Sequence, residues 1–558
     1  MTDPIRALAD DLHERVVARD PFGATMLGVP GYDALVPDVR RAADEAHRSA
    51  VTALLEQAAA VDPAGLSPAD RITLSCVRSA TERELADVAA ATVEHSLSPL
   101  SHGPAQVTMT ASRTRLADPA AAADYLERTR GYADYLDGCA ERLREGAARG
   151  RTPVASSLAV VRTQVEQQLS ADGPDALRSV APPAGWAGAD AWRADLDTAV
   201  ADHVLPALAR YRDLLVDELL PVARPDERPG LVHLTGGEED YAALVCVHTT
   251  LPLTAAQVHE TGREVVAEIT ARMRELGAGL GLGSFEEVLS AARAAAGSVD
   301  AETAMARARE AVRRADQVVP EWFSPPLPPP CLVEAMDATV AAAGMPPHYT
   351  LPSLDGSRQG TYWYNAVVPG AGSGWDLEAT AFHEAVPGHH LQLSRMLGLA
   401  DLPGLQTQSL VTAHAEGWGL YAEVLAGEMG LYSGDEQRLG ALGVQLFRAA
   451  RLVVDTGLHA LGWSRAAATE WFAATVPLPE PFLASEINRY IGIPGQALAY
   501  MTGLRELLRL RGEASAALGD RFDVRGFHSA VLDSGALPLP AVGTAVATWV
   551  DSRRADPV

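Results

Sequence analysis

Along almost the whole chain, apolar residues recur at three- and four-residue spacing, the period of an amphipathic helix. Residues 120–146 (AAAADYLERTRGYADYLDGCAERLREG) and 194–219 (ADLDTAVADHVLPALARYRDLLVDEL) show it plainly. A strand buries every second residue, so this period does not suit a sheet. The expected fold is mainly α, a large multi-helix body. Ser67 followed by Pro68 reads as a helix start, and Pro and Gly clusters mark the stops. No repeat of fixed period is visible, which speaks against a solenoid. Loops are expected at 171–190 and 221–238, and SPPLPPP at 324–330 reads as a polyproline-like joint. Beyond the joint the texture changes. Residues 349–365 (YTLPSLDGSRQGTYWYN) set Tyr, Trp and Thr between Gly and Pro. This is the one good strand candidate, a short antiparallel hairpin or sheet near 345–366. The expected organisation is a helical N-terminal body (1–330), a small β insert (331–370) and a helical body (371–558) that carries the chemistry. The three are expected to fuse into one globular unit with a central groove.

Composition removes several function classes. With 47 % hydrophobic and 21 % charged residues in 558, the chain can bury a large core, so intrinsic disorder is excluded. Lys and Arg number 46 against 72 Asp and Glu, a net charge of −26 with no basic stripe. Nucleic acid is therefore not expected as a partner. Cys76, Cys139, Cys246 and Cys331 lie far apart and form no CxxC pair. That excludes a cysteine zinc knuckle and fits a reducing compartment. The first twenty residues hold no apolar signal core, and no stretch approaches the roughly 18 apolar residues of a membrane span. A cytoplasmic protein without a membrane partner is expected; an oligomer is left open.

The informative stretch is DLEATAFHEAVPGHHLQL, 376–393. Zinc hydrolases of the H-E-x-x-H kind place two His one helical turn apart on a metal, with the Glu as general base. Here Pro387 stands where the second His would be. On a straight helix His383 and His389 would be about 240° apart around the axis and about 9 Å apart along it. His383 and His390 would share a face but lie about 10.5 Å apart. Neither pair could hold one ion. Pro387 changes this, because its ring clashes with the carbonyl of His383 and it has no N–H to give. Gly388 permits an unusual backbone path. A two-residue bulge would return His389 to the usual position of the second ligand, which favours His389 over His390. A third ligand is needed. Glu416, in HAEGWGLYAE (414–423), is assigned to the metal. Glu423, seven residues on and so on the same face, is assigned to orienting a His ligand. Gly417 and Gly419 would admit a close neighbouring backbone. The pair His259-Glu260 has no partner His and reads as an accident of helix composition.

Further residues support the site. Arg451, Asp455 and His459 form one polar stripe on an apolar helix. An Arg451–Asp455 ion pair is one reading; His459 donating to a substrate or an oxyanion in the cleft is the other. Pro494-Gly495 breaks a later helix, and Gln496 and Tyr500 beyond it share a face. Tyr500, then Tyr490, is the candidate donor to the oxyanion, with a packed aromatic as the alternative. Arg489 could clamp a substrate carboxylate. Tyr364 and Asn365, in GTYWYN, would pin a substrate backbone as an added strand does, or simply serve a turn.

The stretches HEAVPGHHLQ (383–392), EGWGLYAE (416–423), RLVVDTGLHALGW (451–463) and RYIGIPGQALAYMTG (489–503) resemble the bacterial family called domain of unknown function 885. The resemblance runs from DPFGATMLGVPGYD (20–33) to DSGALPLPAV (533–542). That family is similar in fold to carboxypeptidases of the Taq type, nearly all-helical, with a long groove and an H-E-x-G-H zinc helix. Against that pattern this chain inserts Val386-Pro387 before Gly388-His389. The resemblance implies His383, His389 and Glu416 as zinc ligands and Glu384 as base. The expected function is zinc-dependent amide hydrolysis, most simply of short peptides from a chain end. The alternatives are a metal-dependent amide or ester hydrolase on a specialised small molecule, and a non-catalytic peptide-binding protein. An intact Glu384 speaks against the last, since a pure metal clamp needs no base.

Overall fold

The structure, a computed structural model, describes residues 4–98, 102–170, 175–295, 299–336, 346–352, 358–365 and 374–555. Several helices begin where a side chain closes an open N–H group of the first turn. Ser67 caps the Pro68–Ala90 helix, its hydroxyl accepting from the Asp70 amide at 3.2 Å. Thr254 and Gln257 form a reciprocal capping box at the head of the Ala255–Gly279 helix. Asp118 caps Pro119–Ala148, the first of the two segments singled out by their period. The second runs as a continuous helical rod with a π turn at Val200–Val204, where the Leu205 amide donates to the Val200 carbonyl. The wider turn falls just before Pro206, which lacks the N–H of a regular helix.

The fold is mainly α, as the period predicts. The loop expected at 171–190 holds a one-turn helix, Asp175–Arg178, and residues 171–174 lie outside the described part. Residues 221–238 are mostly turns, with 3-10 segments at Leu220–Val222 and Leu231–His233, and end at the head of the Gly237–Thr249 helix. Apolar side chains form two main cores. One gathers Phe22 and the helices between about Leu97 and Leu219. The other joins the first helices, from Ile5, to the C-terminal half as far as Val550. Packing therefore does not divide at 331 or 371.

The small sheet has three strands, β1 (Leu332–Ala335), β2 (His348–Thr350) and β3 (Thr361–Tyr364), in the order β1-β3-β2. β2 and β3 pair antiparallel, as the sequence suggests. β1 pairs parallel to β3, which it did not suggest. β3 is thus bonded along both edges and cannot accept an added strand. Tyr364 and Asn365 are buried at 6 % and 2 % exposure, so the expectation that they pin a substrate backbone is corrected. Parts of the β stretch, 337–345 and 353–357, lie outside the described residues. No described helix is long and apolar enough to cross a membrane.

Burial sets the acid behaviour of this fold. It pushes His459 and His528 down to about 3, and His248 and His414 to about 4. Unfolded, each would titrate near about 6.5. Below that pH the unfolded chain takes up protons that the folded chain refuses, so stability falls as pH drops from about 6.5 toward 4. Asp455, raised by burial to about 7, and Glu423, Asp240 and Asp316, also raised, act in the opposite sense, but His95 and His102 are lowered by burial as well and add to the four imidazoles. Each histidine contributes up to about 1.4 kcal/mol per pH unit. The melting temperature should fall steadily between pH 6.5 and 4.5; a flat or rising profile would contradict neutral buried imidazoles.

Candidate metal centre

Two consecutive helices meet at a break that the sequence dictates. Leu377–Glu384 ends at His383-Glu384, and His389–Leu397 begins two residues after Pro387. The Val386–Pro387 bond is cis. Gly388 folds back onto the end of the first helix, so close that a Cβ there would lie 1.9 Å from the His383 carbonyl oxygen. Only glycine allows that approach. The His390 amide then donates to the Ala385 carbonyl at 3.1 Å, and the Trp418 indole donates to the Pro387 carbonyl at 2.9 Å. The excursion thereby closes and returns His389 beside His383, with ring centroids 4.7 Å apart and planes at 85°.

The third group comes from the Thr412–Glu428 helix. Glu416 Oε2 lies 3.4 Å from His383 Nε2 and 3.6 Å from His389 Nε2. One donor atom from each of the three residues falls within 4.8 Å of the others. Tetrahedral bonds of about 2.0–2.1 Å place two donor atoms about 3.4 Å apart, so the spacing about Glu416 fits a zinc ion. Glu423 accepts from, or shares a proton with, His383 Nδ1 at 2.8 Å, the arrangement that fixes a ligating imidazole. Gly419 makes this possible: a Cβ there would lie 2.5 Å from the His383 ring. The imidazole lies against Gly419, between Glu416 and Glu423. Gly417, by contrast, meets the backbone of Gly503, 2.6 Å from where its Cβ would be. One of the two glycines therefore admits a backbone and the other a ring.

Charge at the centre is divided unevenly. Burial would lower the His383 pKa, but hydrogen bonds to Glu416 and Glu423 outweigh it and push it up to about 10. Burial alone would raise Glu416, yet the two imidazoles hold it well below the usual carboxylate range. Glu423 is raised by burial, with His383 working against the shift. Glu384 is 9 % exposed and, among the described residues, its carboxylate has no hydrogen-bond partner. It is held beside His383 with its oxygens uncommitted.

His390 faces away. Its Nε2 lies 2.6 Å from the Pro329 carbonyl, and its Nδ1 lies 3.0 Å from the Tyr349 hydroxyl. His459 is fully buried; its Nε2 donates to the Tyr490 carbonyl at 3.0 Å and its Nδ1 accepts from the Leu231 amide at 3.3 Å. It joins two backbone segments and has no nitrogen left for a substrate, so its expected place in the cleft is corrected. The Arg451–Asp455 pair does not form either. Asp455 takes the Tyr241 hydroxyl at 2.6 Å and the Gly495 amide at 3.1 Å. Arg451 turns to Glu486 at 2.9 Å. Tyr490 is buried and donates to Glu486 at 2.7 Å, which removes it from substrate binding. Arg489 and Gln496 bond to each other. Tyr500 is half-buried, and among the described residues its hydroxyl has no partner.

Sequence reading missed Arg448. It belongs to the Asp435–His459 helix, three residues before Arg451 and on the same stripe. Its charge is felt by, and feels, Tyr500, Glu423 and Glu416. The stripe of spacing three and four was the signal that could have found it.

A family model described as "Bacterial protein of unknown function (DUF885)" matches residues 21–546. The chain is similar in fold to a crystal structure of a "putative lipoprotein from Colwellia psychrerythraea", with TM-score 0.86 and 23 % identity over 98 % of this chain and 99 % of that one. It is also similar to a "putative lipoprotein of unknown function from Shewanella oneidensis", with TM-score 0.75 and 17 % identity over 97 % and 99 %. At such identities the likeness shows the fold alone. No curated protein matches the chain.

Proposed function

The chain belongs to the bacterial family of unknown function DUF885, and from its own site we propose a zinc-dependent hydrolase of amide bonds, a peptidase that acts on short peptides from a chain end. We read its fold as related to the zinc carboxypeptidases of the Taq type. The observation that supports this most is the spacing of His383, His389 and Glu416, whose donor atoms lie within 4.8 Å of one another. His383, His389 and Glu416 would hold the ion. Bound zinc would lower the pKa of a water toward about 7 and polarise the scissile carbonyl.

The chain's own groups carry the remaining steps. Glu384, uncommitted beside His383, takes a proton from the attacking water as the C–O bond forms. It then delivers that proton to the leaving nitrogen as the C–N bond breaks. Glu423 keeps the His383 ring in register through Nδ1. The Tyr500 hydroxyl is offered to the developing oxyanion. All four cysteines are unpaired, which favours work in a reducing compartment such as the cytoplasm.

The test is metal analysis of the purified protein together with mass spectrometry of a mixed peptide library. Stoichiometric zinc and removal of terminal residues are expected, with activity lost on chelation and restored by zinc. A protein without metal affinity, or cleavage indifferent to the chelator, would refute the reading.

A further inference from the structure

Near Tyr500 two guanidinium groups, those of Arg489 and Arg451, share a single carboxylate. Glu486 accepts from Arg489 at 3.0 and 2.9 Å, from Arg451 at 2.9 Å and from the Tyr490 hydroxyl at 2.7 Å. Arg489 gives its remaining nitrogen to Gln496. Its fork is closed, so the expectation that Arg489 clamps a substrate carboxylate is corrected.

Arg448 is in a different state. Among the described residues it makes no hydrogen bond and no ion pair, and its Nε is buried without a partner. Nη1 of Arg451 is buried and unpartnered too. Both guanidinium groups lie over the same Tyr500 ring, 5.0 and 4.5 Å from its centroid. A buried charged N–H without an acceptor is destabilising, and folds rarely keep one without a use. Two such donors beside one ring suit an anion with two oxygens in a plane. A carboxylate meets this through charge-assisted hydrogen bonds. The place is right as well. Burial and then Arg451 lower the Arg448 pKa, while Tyr500, Glu423 and Glu416 oppose the shift. Arg448 therefore stands within electrostatic reach of the metal centre.

We propose that Arg448 and Arg451, packed on Tyr500, bind the free C-terminal carboxylate of the substrate, so that residues are removed from that end. This rests on the amide-hydrolase reading above and names its substrate class.

The test separates the two. N-acetyl-Ala-Ala and its C-terminal amide are titrated calorimetrically into the purified protein, without reference to turnover. The acid should bind about 10-fold or more tightly than the amide, as one charge-assisted hydrogen bond implies. Arg448→Met should abolish that preference, acid and amide then binding alike. Arg448→Lys keeps the charge and the packing and loses the fork, so it should reduce the preference. Arg438→Met, on the exposed end of the same helix, should keep it. Equal binding of acid and amide by the wild-type protein overturns the carboxylate site and leaves amide hydrolysis standing. A preference that survives in both Arg448 variants overturns it too, as does competition by inorganic phosphate as strong as that of the acid. Preference for the acid without any peptide cleavage supports the carboxylate site and refutes the hydrolase reading instead.

Discussion

Replacing Glu384 by Gln is expected to lower hydrolysis by about 10²–10⁴-fold while fold and metal stay in place. The side chain is 9 % exposed at the end of the Leu377–Glu384 helix. Gln has the same shape, and among the described residues no hydrogen bond to the Glu384 carboxylate would be lost. What disappears is the basic oxygen that accepts a proton from water and returns it to the leaving nitrogen. The three ligand residues are untouched, so zinc content should match the wild type. Turnover of a peptide found in the library screen, together with elemental analysis, decides it. Wild-type turnover in this variant would remove Glu384 from the mechanism even with zinc bound.

His389→Ala is expected to lose the metal, and His390→Ala to keep most of it. The two residues are neighbours in sequence and opposite in surroundings. His389 Nε2 lies 3.6 Å from Glu416 Oε2, on the side shared with His383. His390 bonds to Pro329 and Tyr349 through its two nitrogens. Removing His389 leaves two protein donors where a catalytic zinc site takes three, so the loss should exceed the about 10–100-fold that follows from loss of an outer hydrogen-bond partner. Removing His390 weakens contacts to β2 and the 324–330 joint, which belongs to stability rather than metal affinity. Zinc analysis after dialysis of both variants is the measurement. The reverse pattern would transfer the ligand role to His390.

Local signals were legible and non-local ones were not. Ser67 announces a helix start, because a cap acts within one turn of itself. The Pro387-Gly388 break announces the return of His389, because the clash and the close approach both involve residues within five positions of it. Even the closure of Arg489 had a local trace, since Glu486 is three residues before it on the same helix. His459 and Asp455 are different. On the stripe His459 looks like a cleft residue and Asp455 like the partner of Arg451, but their partners are Leu231, Tyr241, Tyr490 and Gly495. No spacing rule connects positions so far apart.

The sequence by itself determined that this chain is helical, where its main segments start, and that the helix at His383 must break and bring His389 round. Each follows from backbone sterics, hydrogen bonding within a turn and a period of 3.6 residues. Tertiary structure alone decided which polar residues remain uncommitted. Glu384, Tyr500 and Arg448 keep open groups, whereas His459, Tyr490 and Arg489 are occupied by partners. The physical reason is that a buried polar group takes whichever acceptor or donor packing brings to it. That outcome is fixed by which helices meet, such as the contact of Gly419 with the His383 ring, and not by the residue's own place in the chain.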